Sequence, residues 1–365
     1  MPIADFEIAV PTTMRAAVYK GNGVVSVEEV PTPTIGAGEL LVRVEACGIC
    51  HTDLKKIEHN LLAPPRIYGH ETAGVVASAG RDVRRFAPGD RVVVFHHIPC
   101  LDCFYCRKKL YAQCSTYKKV GVTAGFEPAG GGFSQYVRVM DWIVDRGVEK
   151  IPESVSFEQA SFVEPLNTCL KAVVQCAPQA DEVALIMGQG PIGLLFTMLV
   201  ERTGALVVAT ETIASRRELS RRCGAELTLD PRTADVKAAV DPMTDGRGAD
   251  LVIVAASAPG LVEQAVRYSR PGARILLFAQ TSDAEAIELS GASVCVGERM
   301  IFGSYSASVD LQKEAARLVF SGELPVRLLV SHRFSLTQIR SAFDLALHPD
   351  ERSLKIILEP QRWTE

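Results

Sequence analysis

A chain of 365 residues, 47% hydrophobic and 22% charged, lies in the ordinary globular range, which excludes a collagen, a coiled coil or a wholly disordered polymer. Its length suits about two domains of roughly 150 residues. With 39 basic against 43 acidic residues the net charge is −4, so no global positive field draws in nucleic acid or anionic lipid, and a small, uncharged or mildly polar partner is expected.

The opening residues, MPIADFEIAVPTTMRAAVYK, carry acids and lack a basic stretch followed by an apolar one. They match neither a secretory signal nor a transit peptide, and residues 1–13 read as an extension ahead of Met14. A cytoplasmic location is expected. The longest apolar run, Ile192 to Val200, is about half of the roughly 18 residues a membrane span needs. In a reducing compartment the ten cysteines point to metal binding or chemistry rather than to disulfides.

From Arg15 to about Asp145 short alternating runs (LLVRVEA, GVVASAG, DRVVVF, FSQYVRVM) predict a β-rich region with many turns. Two motifs fall within it, CGICHTD at 47–53 and GHE at 69–71. Together they offer the sulfur of Cys50, the imidazole of His70 and the carboxylate of Glu71, a set that zinc accepts while keeping an open position. Cys100, Cys103, Cys106 and Cys114 follow as C-x2-C-x2-C-x7-C in one polar loop. Four thiolates so close suit a closed, structural zinc site. The ferredoxin iron–sulfur run has three residues before its last cysteine and a proline after it, and neither holds at Cys114. A zinc ribbon for nucleic acid is disfavoured by the net negative charge.

Residues 151–175 turn helical, and within them Glu164 lies between apolar neighbours (FV before, PL after). A buried carboxylate there calls for a metal or a cation. From Asp181 strand-like runs (EVALIMG, ALVVATE, AELTLD, ADLVIVAA, GARILLFA, MIFGSY) alternate with helical ones, which predicts a six-stranded, parallel, doubly wound sheet. After the first run comes GQGPIG: Gly188, Gly190 and Gly193, with Pro191 and Ile192 between them, stand in dinucleotide-binding spacing between strand and helix. The turn, the close approach of backbone to pyrophosphate and the helix–strand packing each use one glycine. Glu211, about 20 residues on, is placed to accept from the adenosine ribose hydroxyls and to repel a 2′-phosphate, which favours NAD over NADP. Arg216 stacks on the adenine or faces solvent. Beyond Ser306 a helix, the strand-like RLLVSHRF, another helix and the strand LKIILE are expected to return to the first domain.

In this order, CGICHTD, GHE, the cysteine lobe, GGFSQYV, VEPLN and GQGPIG resemble the zinc-dependent medium-chain alcohol and polyol dehydrogenases, from Met14 to about Glu359. The resemblance implies a GroES-like catalytic domain (1–165 and 304–365, with the zinc lobe at about 96–118) split around a Rossmann domain (166–303), and an active site in the cleft between them. It implies two zinc ions, a catalytic one on Cys50, His70, Glu71 and Glu164 and a structural one on the four lobe cysteines. Cys50 and His70 are implied as direct ligands, whereas Glu71 and Glu164 stay unranked. A glutamate rather than a cysteine at 164 is similar to the sorbitol and threonine dehydrogenase branch and implies a secondary alcohol in a polyol, sugar, cyclitol or amino alcohol.

By motif position Thr52 resembles the hydroxyl that relays the proton, and Asp53 the partner that orients His70. His51 and Lys355 resemble pyrophosphate contacts, and Thr168 a nicotinamide contact. His96 and Tyr305 are expected at the substrate cleft, and His97 as an ordinary surface or hydrogen-bonded histidine. The chain departs from the family at Lys55, where relatives carry a histidine that ends the relay; an ordinary lysine titrates near about 10.4 and is a poor base at neutral pH, so the relay ends at His59 or at water. Relatives form homodimers or homotetramers. The competing readings are a primary or aromatic alcohol dehydrogenase and, in a different class, a zinc-stabilised protein that senses NAD(H).

Overall fold

The computed structural model describes residues 9–119, 130–279 and 286–362; the first eight residues of the N-terminal extension lie outside them. The chain forms two compact units, one of Met1–Asn167 with Ala307–Glu365 and one of Thr168–Ser306.

The first unit opens with β1 (Thr13–Gly21) and β2 (Val24–Pro31), an antiparallel hairpin turned at Asn22 and Gly23, both at positive φ, as tight hairpin turns require. β3 (Leu40–Gly48) leads into helix α1 (His51–Glu58). β4 (Arg66–Ile67) completes a three-stranded sheet with β1 and β2. β5 (Glu71–Ala79), β6 (Arg91–Val94), β7 (Tyr136–Val139) and β8 (Val148–Lys150) then build outward from β3. β3 alternates β-branched residues with others, and Val42 and Val44 are fully buried, the pattern of a strand with little exposure to water. Around it Val76, Val92, Phe95 and Phe133 close the core of this unit. Helix α2 (Val163–Cys176) carries the chain out of it.

In the second unit β9 (Val183–Met187), β10 (Leu206–Thr210), β11 (Leu227–Leu229), β12 (Ala249–Val254), β13 (Ser269–Leu277) and β14 (Met300–Gly303) are the six strands that the alternation predicts. All pair in parallel, in the order β11-β10-β9-β12-β13-β14. Helices α3 (Pro191–Glu201), α4 (Ala214–Arg222) and α5 (Leu261–Tyr268) cross between strands. Every residue of β9 is buried, as its central place demands. The strand order reverses beside β9, and ligands of such sheets bind at the strand ends there.

From Ala307 the chain is again in the first unit, with helix α6 (Gln312–Phe320) as the first long helix of that tail. The segment expected as one strand, RLLVSHRF, divides: Val326–Leu329 is a 3-10 turn and only β15 (Val330–Phe334) is extended. Pro325 opens this turn with φ −78°, a value its ring imposes, and buried Val326 and Leu329 anchor it. Helix α7 (Ile339–Leu347) and β16 (Lys355–Leu358) follow. β16 runs antiparallel to β3, with Ile357 opposite Gly48 and Leu358 opposite Cys47. Thus β5 lies along one edge of β3, while β7 and β16 share the other. No described helix is long and apolar enough to cross a membrane.

Leu185 on β9 is fully buried among Val208, Val252 and Ile275. Truncation to alanine is expected to cost about 2–5 kcal/mol by lost transfer energy and the cavity left. The check is a lowered urea midpoint with an unchanged slope.

Candidate active site and metal centres

The last residues of β3, the start of α1 and the start of β5 converge. Cys50 caps α1 with extended backbone angles (φ −112°, ψ 140°). Glu71 stands opposite Gly48 in the β3–β5 ladder. A Cβ on Gly48 would come 1.9 Å from Glu71 Oε2, so this glycine makes room for the carboxylate. The sulfur of Cys50, a ring nitrogen of His70 and a carboxylate oxygen of Glu71 lie within 4.8 Å of one another, as ligands of one small ion would.

His70 Nδ1 donates to Asp53, 3.0 Å from Oδ1 and 2.9 Å from Oδ2. Asp53 is completely buried on α1. This bond fixes the tautomer and leaves Nε2 as the nitrogen for a metal. Burial alone would lower the pKa of His70, but Asp53 and the Cys50 sulfur outweigh it and raise it well above the ordinary range.

Lys355, the first residue of β16, is 5% exposed. Its ammonium donates to the Glu71 carboxylate and, at 3.1 Å, to the carbonyl of Ile49. The pyrophosphate contact that the resemblance implies is therefore not where the side chain is engaged: a buried ammonium needs a counter-charge, and Glu71 supplies it. Burial would lower its pKa, yet Glu71 and Cys50 hold it above the ordinary lysine value. Glu164, on the first turn of α2, is also 5% exposed. Burial, helped by Glu71 and opposed by His70 and Lys355, pushes its carboxyl up to about 7. It lies outside the three-residue set, so of the two glutamates it is Glu71 that stands with Cys50 and His70.

In the lobe, Cys103 and Cys106 sulfurs are 3.5 Å apart, Cys100 and Cys114 3.6 Å, and Cys100 and Cys106 3.9 Å. Four thiolates at zinc–sulfur distances of about 2.3 Å on a tetrahedron stand roughly 3.8 Å apart. The spacing fits one ion, and all four thiols are free of disulfides. Burial raises the Cys114 thiol, but the backbone N–H groups of Cys100, Tyr117 and Thr116 prevail and bring it down to about 6. Buried Tyr111, Ala112 and Tyr117 pack with Cys106 and Cys114 into a small apolar cluster.

In the second unit Gly188 ends β9 at φ +97°, which glycine alone adopts without strain. A Cβ on Gly193 would meet Gly188 O at 1.9 Å, so helix and strand could not pack with a larger residue. A Cβ on Gly190 would meet nothing within 4 Å. That open space lies at the N-terminus of α3, where Pro191 takes the first turn and Ile192 follows, and it suits a pyrophosphate. Glu211, just past β10, accepts from Gln189 N (2.8 Å), Ile213 N (3.0 Å) and Thr212 Oγ1 (3.2 Å). A carboxylate has about four acceptor positions, so about one remains for a ribose hydroxyl. Arg217 is turned to the carbonyls of Glu211 and Thr212 and to Asp230.

Thr52 and Lys55 are half-buried on α1, and His51 and His59 are exposed at its two ends. Thr168 is half-buried and Arg216 lies on α4, whereas Tyr305 is 46% exposed. His96 is completely buried. His97, expected as a surface or hydrogen-bonded histidine, is half-buried with Nε2 3.1 Å from Nε2 of His96 and its ring stacked 4.6 Å from Tyr117. Sequence reasoning missed this pair and Lys355–Glu71; two histidines side by side just before the lobe were the only available signal for the first.

Residues 36–152 match the family model of the alcohol dehydrogenase GroES-like domain, and residues 191–321 that of the zinc-binding dehydrogenases. The L-threonine 3-dehydrogenase of Pyrococcus abyssi is 32% identical over 325 residues, covering 87% of this chain and 90% of the relative. The chain belongs to the zinc-binding dehydrogenase family. The sorbitol dehydrogenase of Bacillus subtilis is 29% identical over 359 residues, 97% of this chain and 99% of its own. A zinc-binding dehydrogenase from Sinorhizobium meliloti, solved with NADP bound, superposes with a TM-score of 0.87 at 30% identity, over 96% of this dehydrogenase and all of the neighbour.

Because Asp53 orients His70 through Nδ1, Asp53→Asn is expected to weaken metal binding at the Cys50–His70–Glu71 set by about 10- to 100-fold. The lobe should keep its ion. Elemental analysis after graded dialysis against a chelator checks this: two zinc per chain falling to one at lower chelator concentration than in the wild type.

Proposed function

We propose that this dehydrogenase oxidises a secondary alcohol with NAD as hydride acceptor, and that it works with two zinc ions, one in each donor set. The Cys50–His70–Glu71 set carries the reading: half-buried Cys50 and buried His70 and Glu71, three donors of different kinds with no fourth ligand atom among the described residues, the composition of a catalytic rather than a structural site. The zinc held there supplies a Lewis acid that favours the alkoxide form of an alcohol. Asp53 keeps His70 in the metal-binding tautomer. Lys355 restrains Glu71 and balances its charge. Glu164 adds a carboxyl beside the set, and Thr52 Oγ1 takes up and passes on the proton that the alcohol loses. Gly188, Gly190 and Gly193 let the α3 N-terminus receive the pyrophosphate, and Glu211 accepts from the adenosine ribose.

The glutamate at 164 and the similarity to sorbitol and threonine dehydrogenases support a polyol or amino alcohol as substrate. The engagement of Arg217 with backbone carbonyls and Asp230 supports NAD over NADP. All ten cysteines are free, in keeping with a cytoplasmic setting. Met300 on the edge strand β14 and Val296 four residues before it, 60% and 81% exposed, support self-association through that edge.

NAD reduction across polyols, cyclitols, amino alcohols, ethanol and benzyl alcohol tests the substrate class. Secondary alcohols should be turned over fastest, and a lead for ethanol or benzyl alcohol would replace the proposal with a primary or aromatic alcohol dehydrogenase. For the cofactor, Glu211→Ser should shift the ratio of kcat/KM for NAD over NADP toward NADP by about 10- to 100-fold, as expected when a charged acceptor is removed.

A further inference from the structure

Gln189, between the first two glycines of the turn after β9, is completely buried, as are Thr197 on α3 and Ser220 on α4. Its amide nitrogen donates to the carbonyl of Gly188 at 3.0 Å, and its amide oxygen accepts from both hydroxyls, each at 2.9 Å. A carbonyl oxygen only accepts, so Gly188 O fixes which end of the amide faces it and leaves the two hydroxyls as donors. The Gly188–Gln189 peptide is thus held from both sides. In a planar trans unit the C=O and the following N–H point in opposite directions. Here the C=O receives the Gln189 amide, while the N–H donates to Glu211 Oε2 at 2.8 Å. Turning this plane over would aim a carbonyl at a carboxylate, so only one orientation is favourable. On Glu211 the donors divide unequally: Thr212 Oγ1 and Ile213 N take Oε1, and Gln189 N takes Oε2. Each carboxylate oxygen has about two acceptor positions, so the remaining one is on Oε2, the oxygen that the Gln189 N–H holds.

We propose that Gln189 is a positioning residue for the dinucleotide: its amide, braced by α3 and α4, fixes the Gly188–Gln189 peptide plane and, through it, the Glu211 oxygen that receives the adenosine ribose. The inference rests on the dinucleotide reading of this site and adds a residue that the glycine spacing leaves unspecified. Completely buried, the side chain acts through the turn and not on the ligand itself. One amide therefore sets both the turn that faces the pyrophosphate and the acceptor that faces the ribose.

The test measures, by calorimetry on the zinc-loaded protein, the binding of adenosine diphosphate and of its 2′-deoxy analogue, which lacks one of the ribose hydroxyls. The wild type should prefer adenosine diphosphate by about 10- to 100-fold, the range of a hydrogen bond to a charged group. Gln189→Met, similar in length but without the amide, should erase most of that preference, and Thr197→Val and Ser220→Ala should each erase part of it. The methionine also leaves two buried hydroxyls without their acceptor, which lowers stability. Adding Thr197→Val and Ser220→Ala to it removes both hydroxyls, and this triple variant should regain thermal stability without regaining the preference. Should Gln189→Met fail to fold, the two single variants carry the test through the same ratio. A preference left intact by these variants would overturn the proposal alone. So would one that returns together with stability in the triple variant, since packing would then suffice. Equal binding of the two nucleotides by the wild type would remove the ribose reading of Glu211, and no binding of either at millimolar concentration the dinucleotide reading; the proposal would fall with each.

Discussion

Five ionisable groups withdrawn from water together govern the first unit: Asp53, His70, Glu71, Glu164 and Lys355 are each at most 5% exposed. Isolated buried charges are costly, and such groups persist only when paired or bound to a metal. Three carboxyls and the nearby Cys50 thiol face one lysine and one histidine, so the cluster is short of positive charge. A divalent cation on the Cys50–His70–Glu71 set corrects that shortage. The local architecture follows from the need to hold these groups: the β3–β5 register sets Glu71 opposite Gly48, the start of α1 brings in Cys50 and Asp53, and β16 pairs with the end of β3 and delivers Lys355.

Much of this was legible in the sequence because the carriers are local. The β9–α3 turn announces itself through Gly188, Gly190 and Gly193 within six residues, and the four lobe cysteines through their spacing. The sheet of the second unit could be read from alternation, since each strand is an apolar run flanked by a helix. Contacts across long separations were not readable. Lys355 and Glu71 are 284 positions apart, and nothing in either segment says that the last strand lies along β3. RLLVSHRF reads as one strand because its apolar residues suit either state; Pro325 and the burial of Val326 and Leu329 settle its first half as a turn.

The cysteine lobe has a mechanical meaning as well as a chemical one. Its apolar cluster contains Tyr117, Tyr117 stacks on His97, and His97 meets His96 near His70. A structural ion that holds the lobe thereby fixes two rings at the edge of the catalytic set. Short loops with few apolar residues lack the burial to hold such a surface by themselves, which gives four thiolates at that place a physical purpose.

The two glutamates, which motif order left unranked, separate on electrostatic grounds. Lys355 donates to Glu71 and not to Glu164, so the nearest positive charge is spent on the carboxylate that already stands with Cys50 and His70. Glu164, buried and facing the Glu71 charge, has its carboxyl pushed up to about 7. A buried carboxyl beside another carboxylate resists ionisation, which makes Glu164 a ready proton holder. Glu71 accordingly stands in the donor set with Cys50 and His70, and Glu164 is a buried carboxyl outside that set.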